Sequence, residues 1–183
     1  KFRITMNQGE KDVFCFNEDD LDVTDYLKGN PSLAIPKGIS MEMVDGNKFQ
    51  VEGSKFDLSG SSLRGIHNAM NAAFATVAAK RCGVKDDDIQ KALKTFVPLA
   101  HRLESFATIA GVEYVNDSKA TNIDAVYYGL HAMEKPVVWI VGGQDKGNDY
   151  HRLFDLAEEK VKAIICMGVD NYKLLDAFMS FGI

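Results

Sequence analysis

Two short polar segments each follow a predicted strand and carry residue types suited to binding an anion. The first is Asn116–Asn122, with the letters NDSKATN, and the second is 142–147, with the letters GGQDKG. The first offers a carboxylate, an ammonium group and hydroxyls at the start of a predicted helix, and the second offers glycines that let backbone approach a ligand. Lys119 and Lys146 give each segment one ammonium group. The pair predicts a site for a carboxylate or a phosphate.

Each segment also has a plain structural explanation when it is taken alone. Asp and Ser are favoured at helix starts whatever the function, so Asp117 and Ser118 would cap the helix while the lysines lie in solvent. Gly142-Gly143 lacks the G-x-G-x-x-G spacing of a dinucleotide-binding turn. Because ligands bind beyond the carboxyl ends of parallel strands, two such segments on one edge favour a site.

A second group of polar residues lies earlier in the chain. Asn68 and Asn71 are three residues apart on the first turn of an Ala-rich helix, where two amides supply the donor and acceptor that an adenine edge requires. The alternative is an N-cap asparagine plus a surface one. Arg102, beside His101, is either a phosphate contact or an ordinary surface residue.

Several kinds of chemistry lack a signal in this sequence. There is no G-x-x-x-x-G-K-[ST] phosphate loop, and no Ser, Cys or Thr stands in a nucleophile elbow. Asp86, Asp87 and Asp88 fit the first turn of a helix, where carboxylates favour the dipole, better than a metal site. We therefore assign no metal ligand and no catalytic residue within this chain.

The elements before Pro98 are predicted to be strands followed by two helices. Strands are predicted at Phe2–Thr5, Val13–Phe16, Ile39–Val44 and Lys48–Val51, in an antiparallel arrangement with a hairpin turn at Asp45-Gly46. The first helix covers His67–Arg81 and ends at Gly83. The second begins at the three aspartates and has an apolar face of Ile89, Ala92, Leu93 and Phe96.

After Pro98 the pattern changes to a hairpin and then to alternating helices and strands. The hairpin joins Phe106–Ile109 to Val112–Val115. Helices are predicted at 122–133, 150–160 and 172–179, and apolar strands at Val137–Val141 and Ala163–Met167. Such strands are typical of a parallel sheet covered on both faces, so the fold class is α/β with a doubly wound, Rossmann-like second domain. The predicted domains are 1–98 and 99–183.

Composition limits the kind of protein. The 183 residues include 21 Lys+Arg and 26 Asp+Glu, for a net charge of −5, which disfavours nucleic acid or an anionic membrane as a partner. No apolar run reaches 18 residues, the length needed to cross a bilayer. Three widely separated cysteines in apolar contexts predict reduced, buried thiols in a reducing compartment such as the cytoplasm.

Together, these segments resemble a known family. The run His101-Arg102-Leu103-Glu104, then Gly111-Val112 and the two polar segments, resembles the C-terminal domain of the Mur ligases in order and spacing. Gly65-Ile66-His67-Asn68 with Asn71 resembles the end of their central ATP-binding domain. The letters DSKATN separate the branch that adds D-glutamate from other amide ligases of this kind.

The resemblance implies an ATP- and Mg²⁺-dependent ligase that adds D-glutamate to UDP-N-acetylmuramoyl-L-alanine through an acyl phosphate, in peptidoglycan precursor synthesis in the bacterial cytoplasm. It implies a monomer as the complete enzyme. By motif position it assigns ATP contacts to Asn68, Asn71, Arg102 and Asp117. It assigns D-glutamate contacts to Lys119, Thr121 and Lys146.

The same resemblance implies that the chain is a fragment. In the family, the phosphate loop, the Mg²⁺ ligands and the UDP-sugar domain precede the point where Lys1 stands, and the last strands follow Ile183. We therefore expect these residues alone to be inactive. Two alternatives stay open: another Mur-type or folylpolyglutamate-type ligase, and a Rossmann-like binding module without catalysis.

Overall fold

The computed structural model describes residues 7–29, 34–143, 147–168 and 171–179. The chain divides into two compact units, Lys1–Phe96 and Val97–Ile183, each with its own hydrophobic core. Both units mix helices and strands, which confirms the α/β class. No helix in these ranges is long and apolar enough to span a bilayer. The predicted strand at Phe2–Thr5 lies outside the described residues.

The first unit opens with two parallel strands joined by a helix. They are β1 (Val13–Asn17), α1 (Leu21–Gly29) and β2 (Ile35–Ile39), and Val13 stands opposite Ile35. The prediction of a wholly antiparallel region is therefore wrong here. Parallel strands need a crossover connection, and α1, which the sequence reading missed, supplies it.

Three short antiparallel strands follow. They are β3 (Val44–Asp45), β4 (Lys48–Val51) and β5 (Ser54–Asp57), and the hairpin turn at Asp45-Gly46 is confirmed. The strand predicted over Ile39–Val44 is interrupted by one 3₁₀ turn at Met41–Met43. The Met41 amide donates to Oδ2 of Asp19 at 2.7 Å, so its hydrogen bond is made outside any strand ladder.

Two helices complete the first unit: α2 (Ile66–Arg81) and α3 (Asp86–Thr95). Gly83 has φ 80°, and the amides of Gly83 and Val84 donate to the Lys80 and Ala79 carbonyls, which confirms the predicted C-terminal stop. The core of the unit includes Ile39, Phe49, Val51, Phe56, Leu58, Ala69, Met70, Ala73 and Val77.

Two predicted buried groups are exposed. Of the apolar face expected on α3, Ile89 and Leu93 are buried, but Ala92 is exposed and Phe96, beyond the helix end, is 52% exposed. Cys82 is also exposed, because it is the C-cap residue of α2.

The second unit begins with the predicted hairpin and continues with the predicted alternation. Its elements are β6 (Glu104–Ile109), β7 (Val112–Asn116), α4 (Ile123–His131), β8 (Val137–Gly142), a 3₁₀ turn at Tyr150–Leu153, α5 (Phe154–Lys160), β9 (Val161–Met167) and α6 (Tyr172–Phe178). β8 and β9 are parallel, and β6 pairs antiparallel with β7.

Only one face of the β8–β9 pair is covered by the described helices. On that face Trp139 packs edge-on against Phe178, with ring centres 5.7 Å apart, beside buried Leu153. On the other face Ile140 and Ile165 are 61% and 48% exposed. The prediction of a sheet covered on both faces is therefore wrong for the described residues, and burial along these strands alternates instead of being continuous.

Candidate functional site

The two polar segments of the second unit come together at one cleft. Its rim includes Thr121 and Asn122, which follow β7, and Gly142 and Gly143, which end β8. The cleft has a volume of about 110 Å³, and its floor is apolar, with Trp139 among the lining residues. A small cleft with an apolar floor and a polar rim is a plausible place for part of a ligand.

The end of β8 lies against β9. Gly142 stands opposite Met167, and any Cβ at this position would overlap the Met167 carbonyl oxygen. The adjacent Gly143 has φ 128°, a conformation that favours glycine. These two residues therefore bring bare backbone to the rim of the cleft.

Asn122 caps helix α4. Its Oδ1 accepts a hydrogen bond from the Ala125 amide at 2.8 Å. The explanation in which Asp117 and Ser118 cap this helix is therefore wrong. The Ser118 amide instead donates to Oδ1 of Asn116 at 3.0 Å, and this short turn leads the chain toward the helix.

Asp117 joins this segment to the beginning of the unit. Its Oδ1 accepts a hydrogen bond from the Leu103 amide at 3.0 Å. Its Oδ2 lies against α4 at Gly129, where an added Cβ would be 2.7 Å from that oxygen. One carboxylate therefore contacts both the residue before β6 and the helix behind it. Its contact with the ribose of ATP stays a prediction.

His101 is held by the same segment. Its carbonyl accepts from the Lys119 amide at 3.1 Å, and its Nδ1 is 2.9 Å from Nδ2 of Asn116. Arg102 lies between His101 and Leu103 and is exposed, and its guanidinium makes no hydrogen bond or ion pair with the described residues. Arg102 is thus a side chain in solvent on a backbone that is fixed on both sides.

The predicted D-glutamate ligands are unequally visible. The Lys119 and Thr121 side chains are exposed, and Thr121 lies on the rim of the cleft. Within the described ranges the Lys119 ammonium has no carboxylate partner, so its charge remains available for an anion. Lys146 lies outside the described residues.

The two predicted adenine ligands are in the first unit, on α2. This helix begins after Gly65, so Asn68 is not its N-cap; one amide hydrogen of Asn68 instead donates to the Arg64 carbonyl at 2.7 Å. Asn71 is exposed and makes no side-chain hydrogen bond to the described residues. The Asn71 amide can therefore offer both donor and acceptor to a ligand.

The acidic triplet has a structural role at one of its members. Asp86 accepts hydrogen bonds from Lys80 at 2.6 Å and from Ser54 at 2.5 Å. Those two hydrogen bonds hold the pKa of Asp86 below its usual value. Among the described residues no three His, Cys, Asp or Glu side chains form a group that could hold a metal ion.

Two residues of the cleft were missed by the sequence reading. Asn148 and Asn171 line it, and they follow β8 and β9 respectively. The rule that ligands bind beyond the carboxyl ends of parallel strands would have found both. Their amides add polar groups to the side of the cleft opposite Thr121.

Comparison with known proteins places similar sequences in one class, the ligases. The relatives described here are named UDP-N-acetylmuramoylalanine--D-glutamate ligase. The protein of that name from Christiangramia forsetii is 42% identical over 189 residues, covering 97% of this chain and 42% of the relative. Those from Bacteroides thetaiotaomicron and Porphyromonas gingivalis are 36% and 37% identical, over 100% and 95% of this chain and 44% and 42% of the relatives.

These matches confirm the resemblance to the D-glutamate-adding Mur ligases that the motifs predicted. No family model matches the chain. The chain spans less than half the length of the curated relatives described here, 42% to 44%. The similarity therefore concerns one part of a longer enzyme, and the activity of the whole is a matter for proposal.

Proposed function

We propose that this chain is part of an ATP-dependent ligase that joins D-glutamate to UDP-N-acetylmuramoyl-L-alanine, a step of peptidoglycan precursor synthesis in the bacterial cytoplasm. Identity of 36% to 42% over nearly the whole chain to ligases of that name carries the proposal. Residues 1–98 would be the end of an ATP-binding domain, and 99–183 most of a Rossmann-like domain. The complete enzyme would act as a monomer.

The reaction has two steps. The alanine carboxylate attacks the γ-phosphorus of ATP, which releases ADP and leaves an acyl phosphate. The D-glutamate amine then attacks the carbonyl carbon, and the loss of one proton and of inorganic phosphate leaves the amide. Catalysis of both steps depends mainly on holding anionic groups close together in fixed positions.

The second unit supplies groups for holding D-glutamate. This substrate has two carboxylates, and the ammonium groups of Lys119 and Lys146 would neutralise them while the Thr121 hydroxyl donates a hydrogen bond. The Lys119 backbone is fixed by its bond to the His101 carbonyl, which limits the space its side chain must search. A charge-assisted hydrogen bond of this kind contributes about 1.5–3 kcal/mol.

The ATP contacts would come from both units. Asn68 and Asn71 present amides suited to an adenine edge, and the exposed Arg102 guanidinium suits a phosphate. Asp117 would accept from a ribose hydroxyl. The described residues offer no set of ligands for Mg²⁺, so we assign no residue of this chain to the metal.

The decisive experiment uses the complete protein. ADP release is measured with ATP, UDP-N-acetylmuramoyl-L-alanine and, in turn, D-glutamate, L-glutamate and diaminopimelate. We expect release with D-glutamate alone and no turnover by the isolated 183 residues. Preference for another amino acid would indicate a different Mur-type or folate-type ligase, and absence of any turnover by the complete protein would indicate a binding module.

Two substitutions test the assignments within the complete enzyme. Lys119→Ala is expected to raise KM for D-glutamate at least tenfold, whereas Lys135→Ala, which removes another exposed lysine of the same unit, leaves it unchanged. Asn71→Ala is expected to raise KM for ATP instead. Wild-type kinetics in Lys119→Ala would refute its role as a ligand.

A further inference from the structure

The residues on either side of Arg102 have an unusual backbone. His101 has φ 67° and Leu103 has φ 45°, in the left-handed region that residues with a side chain seldom adopt. Two such residues flanking an exposed arginine do not persist unless the surrounding structure holds them. The direction in which Arg102 leaves the surface therefore depends on those surrounding contacts.

Contacts from two other segments hold these residues. Asn116 and Lys119 bind His101 through its ring and its carbonyl, and Asp117 binds the Leu103 amide. The His101 amide also donates to Oε2 of Glu104 at 2.8 Å. The bond from Asp117 is the only one of these that joins Leu103 to the polar segment after β7.

Gly129 makes the position of Asp117 possible. It is buried within helix α4, and an added Cβ would lie 2.7 Å from Asp117 Oδ2 and 3.9 Å from Leu103 Cδ2. A glycine inside a helix is less favourable than alanine for the helix itself. The packing of the Asp117 carboxylate supplies a reason for glycine here that the helix does not.

We propose that Asn116 and Gly129 are positioning residues for ATP binding, which act by fixing the backbone around Arg102. Asn116 holds His101, and Gly129 leaves the space in which Asp117 holds Leu103. Neither residue touches a substrate. This inference rests on the proposed function, in which Arg102 contacts the phosphates of ATP.

The test uses Gly129→Ala in the complete enzyme, after ligation by the wild type has been demonstrated. We expect KM for ATP to rise about tenfold while KM for D-glutamate changes less than twofold. Hydrogen exchange at the Leu103 amide should become faster. Gly29→Ala is the matched control, because a Cβ there meets nothing within 4 Å, and it should leave all three quantities unchanged.

Two further variants decide the cause. If Gly129 acts through Arg102, adding Gly129→Ala to Arg102→Ala raises KM for ATP no further, and an additional tenfold rise would overturn the proposal. An unchanged KM for ATP in Gly129→Ala would also overturn it. If Gly129→Ala does not fold, Asn116→Asp decides: it keeps the oxygen that accepts from Ser118 and loses the amide that faces His101, and a KM for ATP equal to wild type refutes the proposal.

Discussion

The two units bury their strands differently. In the first unit Phe49 and Phe56 stack with ring centres 5.2 Å apart and are 3% and 2% exposed. In the second unit Val138 and Ile140, on a strand of similar apolar character, are 58% and 61% exposed. The first unit thus has a closed core beneath its helices, whereas the second has a core on one side of its strands only.

This difference separates the two kinds of residue that the sequence offers. Side chains that are polar and unshared, such as Lys119 and Arg102, are in the second unit, where loops follow the strand ends. The charged groups in the interior contacts of the first unit, such as Lys80 and Asp86, bind each other. The first unit therefore uses many of its polar groups for its own stability, and the second exposes more of them to solvent.

The largest expected effect concerns the two cores. Phe49→Ala should lower the free energy of unfolding by about 3–5 kcal/mol, because it removes a fully buried ring and leaves a cavity. Ile140→Ala, on the exposed face of β8, should cost less than about 1 kcal/mol. Denaturant unfolding of both variants measures the difference, and equal losses would show that the exposed face is covered in solution.

A smaller effect is expected at the edge of the first sheet. Gln90 on α3 accepts from the Asp57 amide and donates to the Asp57 carbonyl, both at 2.9 Å, so its side chain acts as a further strand partner. Gln90→Ala should cost about 1–2 kcal/mol through two lost hydrogen bonds. Gln50→Ala, an exposed glutamine on β4, is the control and should cost almost nothing.

The corresponding change in the second unit is at the cap of α4. Asn122→Ala should lower stability by about 1 kcal/mol, since the Ala125 amide loses its acceptor. Asn122→Asp keeps an oxygen acceptor and should restore most of the loss. If both variants were equally destabilised in thermal unfolding, the cap would not be the cause.

The smallest effect is a dependence on pH in the first unit. The pKa of Asp86 is lower in the folded state than its usual 3.8, because the charged form is bound by Lys80 and Ser54. Its stabilising contribution is therefore complete above pH 3.8 and is lost as the pH falls toward the folded-state pKa. Asp86→Asn should flatten that part of a stability profile, and an identical acid slope in both proteins would contradict the assignment.

The elements of the second unit were largely predictable from sequence. Its strands are apolar, its helices begin at polar residues, and the hairpin has Ala110-Gly111 at its turn, so local signals agree with the fold. Helix α1 was missed because Leu21–Gly29 has few apolar residues and buries none of them. With α1 missing, the parallel pairing of β1 and β2 could not be foreseen.

The site was predictable in its residues but not in its contacts. Positions after strands identified Thr121 and the paired glycines, because strand ends place such residues at one edge. The contact between Asp117 and Leu103 joins residues 14 apart in sequence, and no local pattern shows it. The same is true of the space at Gly129, which sequence alone marks only as a glycine inside a helix.

Gly142 and Gly143 have a consequence for how this region tolerates mutation. At Gly142 every side chain meets the Met167 carbonyl, so the restriction is steric and applies to all other residues equally. At Gly143 an added Cβ meets nothing within 4 Å, and only its φ of 128° opposes substitution. In a library covering all residues at both positions, we expect Gly142 to be recovered alone, and a few residues tolerant of positive φ, such as asparagine, to accompany Gly143.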